Sequence, residues 1–124
     1  MRLLLDTHAL LWWLADEGLV TEARDAIADP ANLVAVSAVS AWEISIKKAL
    51  GKLAAPDDLE QQVQQGGFLP LPISIAHAIA AGQLARHHED PFDRMLIAQA
   101  FAEGLTIVTR DKRFADYGVS FMPA

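Results

Sequence analysis

Four acidic residues are placed so that one fold can bring them together: Asp6, Glu43, Asp93 and Asp111. Asp6 closes the apolar run Arg2-Leu-Leu-Leu5, as expected of a strand buried on both faces of a parallel sheet. Glu43 lies on a helical stretch that follows a second such run, Leu33-Val-Ala-Val36. Asp93 falls in the first turn of a helix, with Asp90 suited to the N-cap and Pro91 to the first helical position. Asp111 leaves the carboxyl end of the β-rich run Leu105-Thr-Ile-Val108. Ligands of open parallel sheets sit outside the carboxyl ends of the strands, and right-handed crossovers bring those ends to one side. Carboxylates gathered there raise one another's pKa unless a counter-charge joins them. Oxygen-only ligands select a hard cation, Mg²⁺ or Mn²⁺. Such an ion lowers the pKa of a bound water, orients it in line with a phosphodiester and offsets charge on the leaving oxygen. The chain offers no cysteine nucleophile, glycine-rich phosphate loop or serine elbow. Metal-assisted phosphodiester hydrolysis is the chemistry that remains.

Each of these residues also has a plainer reading. Asp6 or Thr7 can simply cap the helix that follows. With Ser40 as N-cap, Glu43 completes a capping box; with Ser37 as N-cap, Glu43 lies deeper and looks across at the strand ends. Glu43 and Lys47 also suit an exposed i, i+4 ion pair. His8 fits a structural or substrate-contacting role better than metal ligation, and Asp90 is explained by helix capping.

The elements that must position these groups follow from the pattern. His8–Leu14 reads as a helix, residues 16–31 hold a short surface helix ended near Pro30, and a helix starts at Ser37 or Ser40 and runs to Leu50. A polar helix is expected over Ala54–Gln65, with Pro56 and Asp57 at its start. Phe68–Ile73 is extended, its prolines favouring a sheet edge. Ser74 caps a helix through Leu84, and Arg86–Glu89 is a loop into the helix that carries Asp93, which Gly104 stops. A turn after Asp111 leads to a last strand, Val119–Met122. The expected fold is a three-layer α/β/α sandwich around a mostly parallel sheet, a single domain over residues 1–124.

Composition narrows the partners. A net charge of −6 excludes binding to nucleic acid through overall basicity, yet three of the ten Lys and Arg fall in Lys47–Lys52 and three in Arg110–Arg113, beside the acids. The lack of cysteine suits a reducing cytoplasm. Asp6 interrupts the first apolar run too early for a signal peptide, and no run reaches the ~20 apolar residues of a membrane span. Trp12 and Trp13 are adjacent on a short apolar helix, so at least one indole is expected to face a partner, an interacting protein or a second copy of the chain.

The stretches Leu-Leu-Leu-Asp6-Thr-His-Ala-Leu-Leu-Trp, Ser-Ala-Val-Ser-Ala-Trp-Glu43-Ile, His88-Glu-Asp90-Pro-Phe-Asp93-Arg-Met-Leu-Ile-Ala-Gln-Ala and Val-Thr-Arg-Asp111 together resemble the PIN-domain nucleases, specifically the VapC-like toxins of bacterial toxin–antitoxin pairs. The resemblance spans nearly the whole chain. It implies a Mg²⁺- or Mn²⁺-dependent endoribonuclease held inactive by a cognate antitoxin, as a homodimer or a toxin–antitoxin hetero-oligomer. By position, Asp6 and Asp93 match the principal metal ligands, and Glu43 and Asp111 the second pair. Thr7 and Thr109 match hydroxyl positions, and Arg94 and Arg110 are implied phosphate contacts.

Two other readings compete. Aspartate-based phosphatases also begin with a strand ending in Asp, but they need an acid two residues on, where this chain has His8. A PIN fold without activity, serving as a binding module for RNA or protein, is opposed by the presence of all four acids.

Overall fold

Leu3, Leu4 and Leu5 are wholly buried and alternate between two cores, which places their strand, β1 (Arg2–Leu5), at the centre of the fold. The computed structural model describes Met1–Ala124. Around β1 stand β2 (Leu33–Ser37), β3 (Leu69–Leu71), β4 (Thr106–Thr109) and β5 (Phe121–Pro123), in the sheet order β3-β2-β1-β4-β5, every pair parallel. Pro70 confines β3 to an edge because proline has no N–H for a second neighbour.

The chain steps outward from β1 to β2 and β3, then returns to β4 on the other side of β1. The reversal lies between β1 and β4, and parallel sheets open a crevice at such a point. Leu5 pairs with Val108, and the Asp6 N–H donates to the Val108 carbonyl at 3.1 Å. The ladder thus sets Asp6 beside Thr109 at the mouth of that crevice.

One face is covered by α1 (Thr7–Ala15), α2 (Thr21–Ala28) and α4 (Leu59–Gln65), which enclose Leu3, Leu5, Leu10, Ile27 and Val36. The other carries α5 (Ile75–Gln83), α6 (Pro91–Glu103) and a 3₁₀ helix (Lys112–Tyr117) over Leu4, Ala35 and Ile107. Helix α3 (Ala38–Ala49) gives Val39 to the second core and Ile44 to the first. It therefore crosses the carboxyl end of the sheet and turns Glu43 toward the crevice. None of the helices is long and apolar enough to cross a membrane.

The expected order of elements holds throughout. The helix expected over Ala54–Gln65 begins only at Leu59, after a turn at Asp57 and Asp58 in which Asp57 is bound by Lys48. Ser37, not Ser40, caps α3: its hydroxyl accepts the Val39 N–H at 3.0 Å and donates to Gln99 at 2.6 Å. The capping-box reading of Glu43 is thereby removed.

Candidate active site

Local capping chemistry aims the acids. Asp6 is the N-cap of α1, one carboxylate oxygen accepting the Ala9 N–H at 2.8 Å. Asp90 caps α6 through the Phe92 N–H at 2.8 Å, with Pro91 in the first turn, and this sets Asp93 one turn in. Asp111 caps the 3₁₀ helix through the Arg113 N–H at 2.9 Å. Glu43 caps nothing; it is buried on α3, and Thr7 donates a 2.6 Å hydrogen bond to its Oε1 while Lys47 pairs with Oε2. The Glu43–Lys47 pair is half inside the protein, not the exposed surface pair the spacing alone allows.

These elements bring Asp6, Glu43, Asp90, Asp93 and Asp111 to one cleft of about 370 Å³, whose rim also carries Thr7, His8, Trp12, Lys47, Arg110 and Arg113. Trp12 is its single apolar wall. Thr109 is buried beside Asp6, its hydroxyl accepting the Asp111 N–H at 3.0 Å. His8 is exposed and packs against the Trp12 ring at 5.8 Å, in contact with the cleft.

Other sequence-level expectations are redirected. Arg94 does not face the cleft: its guanidinium donates to the carbonyls of Ala81, Leu84, Ala85 and His88 at 2.9–3.2 Å and ties the α5–α6 loop down. Arg110 reaches the rim but is largely engaged, bonded to the Ala124 and Gly18 carbonyls with its guanidinium 3.9 Å from the Trp12 ring centre. Trp12 and Trp13 are both half-buried: Trp13 packs edge-on to Phe68, while Trp12 packs against the core and also walls the cleft, and the most exposed indole is Trp42, at 60%.

Sequence reasoning missed His88 and Arg113. His88 is buried, accepts the Asp90 N–H on Nδ1 at 3.2 Å, and sets Nε2 3.2 Å from Asp111 and 2.8 Å from Asp93. An accepting Nδ1 leaves the proton of a neutral ring on Nε2, so His88 acts as a donor to the acids. That single proton is aligned with Asp111, and Asp93 gains little from the contact. The available signal was the placement of His88 two residues before a capped helix start. Arg113 grips Asp111 with Nε at 3.0 Å and Nη2 at 2.8 Å.

A family model of the PIN domain matches residues 3–119. The chain belongs to the PIN-domain family. Over 121 residues it is 28% identical to "Ribonuclease VapC22" of Mycobacterium tuberculosis, covering 92% of this chain and 90% of that protein. Its fold matches VapBC2 from Rickettsia felis, bound to a promoter DNA fragment, with TM-score 0.73 at 15% identity over 100% of this chain and 99% of the other. DNA-bound VapBC from Salmonella typhimurium gives the same TM-score, 0.73, at 21% identity over 99% and 98% of the two chains.

The electrostatics of this PIN domain ask for a cation. Burial, then the charges of Asp90, Glu43, Asp6 and Asp111, push the Asp93 carboxyl up to about 8. Burial also raises Asp6, against the opposing pull of the Thr109 hydroxyl and the Ala9 N–H. Asp111 goes the other way: the Arg113 fork, helped by the Arg113 N–H and His88, holds it at about 2. Asp111 is thus satisfied by a side-chain cation, and Asp93 beside it, on the same His88 nitrogen, is not. His88, Asp93 and Asp111 offer ligand atoms within 4.8 Å of one another, and Asp6 and Glu43 line the same cleft; this oxygen-rich set with no thiolate suits a hard divalent ion.

Proposed function

We propose that this PIN domain is a divalent-metal-dependent endoribonuclease, the toxin of a toxin–antitoxin pair, acting in the cytoplasm and restrained by an antitoxin protein in a hetero-oligomer. The observation that carries the reading is the convergence of Asp6, Glu43, Asp93 and Asp111 on one cleft where the sheet order reverses, with Asp93 raised to about 8 by burial and by the neighbouring acids. The named ribonuclease relative and the fold match to VapBC complexes support it.

Asp6 and Asp93 would hold Mg²⁺ or Mn²⁺, with Glu43 and Asp111 completing the ligands or ordering the attacking water. Bound there, the ion supplies a water of lowered pKa and offsets charge at the leaving oxygen. Thr7 serves this chemistry by fixing Glu43, since its hydroxyl is donated to that carboxylate and not to solvent. Thr109 anchors the Asp111 backbone and lies beside Asp6, whose carboxyl it helps keep ionised. Lys47 offsets the Glu43 charge, and that carboxylate in turn keeps the ammonium above its ordinary pKa. Arg110 and Trp12 give the rim a cationic and aromatic wall.

The test is incubation of the purified chain with structured RNAs, with and without Mn²⁺ and a chelator. Cleavage that needs the ion and is lost in Asp6→Asn is expected. Ion-independent cleavage, or intact RNA throughout, refutes the proposal, and RNA binding without cleavage would leave a binding module.

A further inference from the structure

Among the cations of the cleft, Arg113 stands apart. Lys47 is drawn onto buried Glu43, and Arg110 is bonded to two backbone carbonyls. Arg113 holds no partner except Asp111, and its side chain is 61% exposed. Its grip nevertheless fills the acid. Oδ1 takes the Arg113 N–H at 2.9 Å and Nε at 3.0 Å; Oδ2 takes Nη2 at 2.8 Å and His88 Nε2 at 3.2 Å. With both oxygens engaged, Asp111 has little left to offer an incoming cation, while Asp93 beside it lacks an arginine or lysine partner.

We propose that Arg113 is a latch: it occupies Asp111 in the ion-free protein, yields that carboxylate when a divalent cation enters, and then grips the non-bridging oxygens of the phosphodiester drawn into the cleft. The second half rests on the ribonuclease reading; the first does not. The guanidinium starts inside the cleft on a long exposed arm, so release from Asp111 leaves it within reach of any phosphate placed against the acids. Its planar fork matches two oxygens of a phosphate as well as it matches those of a carboxylate, which an ammonium cannot do. Arg94, the sequence-level choice for this task, is consumed by carbonyls.

The latch predicts effects of opposite sign. Arg113→Gln should bind Mn²⁺ more tightly than wild type, by ~3–10-fold, because a charge-assisted competitor for Asp111 is gone. The same variant should lose at least ~10-fold in RNA cleavage at saturating Mn²⁺, mainly in KM, and Arg113→Lys should recover only part of it. Mn²⁺ affinity is read by isothermal titration without RNA, with far-UV circular dichroism to confirm the fold. Equal or weaker Mn²⁺ binding in Arg113→Gln overturns the latch. Tighter Mn²⁺ binding with undiminished cleavage overturns the hand-over to phosphate. If wild type cleaves no RNA, the ribonuclease reading and the hand-over fall together, and the Mn²⁺ titration still decides the latch.

Discussion

Replacing Asp93 by Asn removes one charge from the crowded cleft and changes almost no volume. Asp93 titrates at about 8 in the folded protein against an ordinary 3.8, so between those values the native state keeps a proton that the unfolded chain has released. Stability contributed by this group is therefore full below about pH 4, falls as pH rises through the window and levels off above about pH 8. At ~1.4 kcal/mol per pH unit the wild type has lost on the order of 4 kcal/mol by pH 7. The Asp93 side chain is 19% exposed, and screening by cleft water should reduce this to about 2 kcal/mol. For a domain of this size that is on the order of 6–10 °C in midpoint. In chelator at pH 7–8, Asp93→Asn should thus melt above wild type, and the two should converge toward pH 4–5. Saturating Mn²⁺ should reverse the order, since an ion at a hundredfold excess over its Kd adds about 2.7 kcal/mol to wild type and little to a variant without the ligand. The assay is a set of thermal melts from acid to mildly alkaline pH, in chelator and in Mn²⁺. A variant that is less stable than wild type in chelator at every pH, or that responds to Mn²⁺ as wild type does, refutes the reasoning.

Arg94→Lys should cost about 2–3 kcal/mol in urea unfolding, because an ammonium cannot reach the several carbonyls the guanidinium ties together; RNA affinity of the folded variant should be unchanged, and weakened RNA binding at full stability would restore Arg94 as a phosphate contact. Thr7→Val leaves the buried Glu43 short of a donor and should cost about 1–3 kcal/mol, whereas a change under ~0.5 kcal/mol would show that Lys47 alone satisfies the acid. His88→Ala deletes a buried ring bonded to Asp90 and Asp111; about 2–4 kcal/mol should be lost in chemical denaturation and Mn²⁺ affinity should fall, while unchanged affinity would mean that His88 does not position the acids.

What could be read from the sequence was local. Apolar runs at Leu3–Leu5, Val34–Val36 and Ile107–Val108 announce buried strands, and Ser74, Asp90-Pro91 and Gly104 announce helix ends because their chemistry acts within one turn. The misplaced features depend on partners far along the chain. The choice of Ser37 over Ser40 is reinforced by Gln99, 62 residues away, which takes the Ser37 hydroxyl. Arg94 sits beside Asp93, and nothing local says that its guanidinium turns to carbonyls on the preceding loop. Trp12 and Trp13 are half-buried on separate supports, Arg110 over one and Phe68 against the other, neither near in sequence. His88 carried only the weak signal of lying two residues before the Asp90 cap, and its reach to Asp111 depends on a residue 23 positions on.

The rival readings of the acids as helix caps and as site residues turn out to be compatible, and the geometry explains why sequence could not choose between them. A capping Asp spends one oxygen on helix N–H groups, as Asp6 does with Ala9 and Asp90 with Phe92. That bond fixes the plane of the carboxylate and directs it along the start of the helix. In a parallel sheet the helix starts lie at the carboxyl ends of the strands, where the crevice opens. A cap there is an acid already oriented toward the crevice, so little side-chain entropy remains to be lost when a cation arrives. Asp111 adds a second restraint, since Arg113 holds both of its oxygens from the solvent side. Glu43 and Asp93 cap nothing, but Glu43 is held by Thr7 and Lys47, whereas Asp93 touches only the His88 ring and otherwise faces acids, and burial among them raises it to about 8. The acid with the fewest structural duties is the one whose charge most needs an ion.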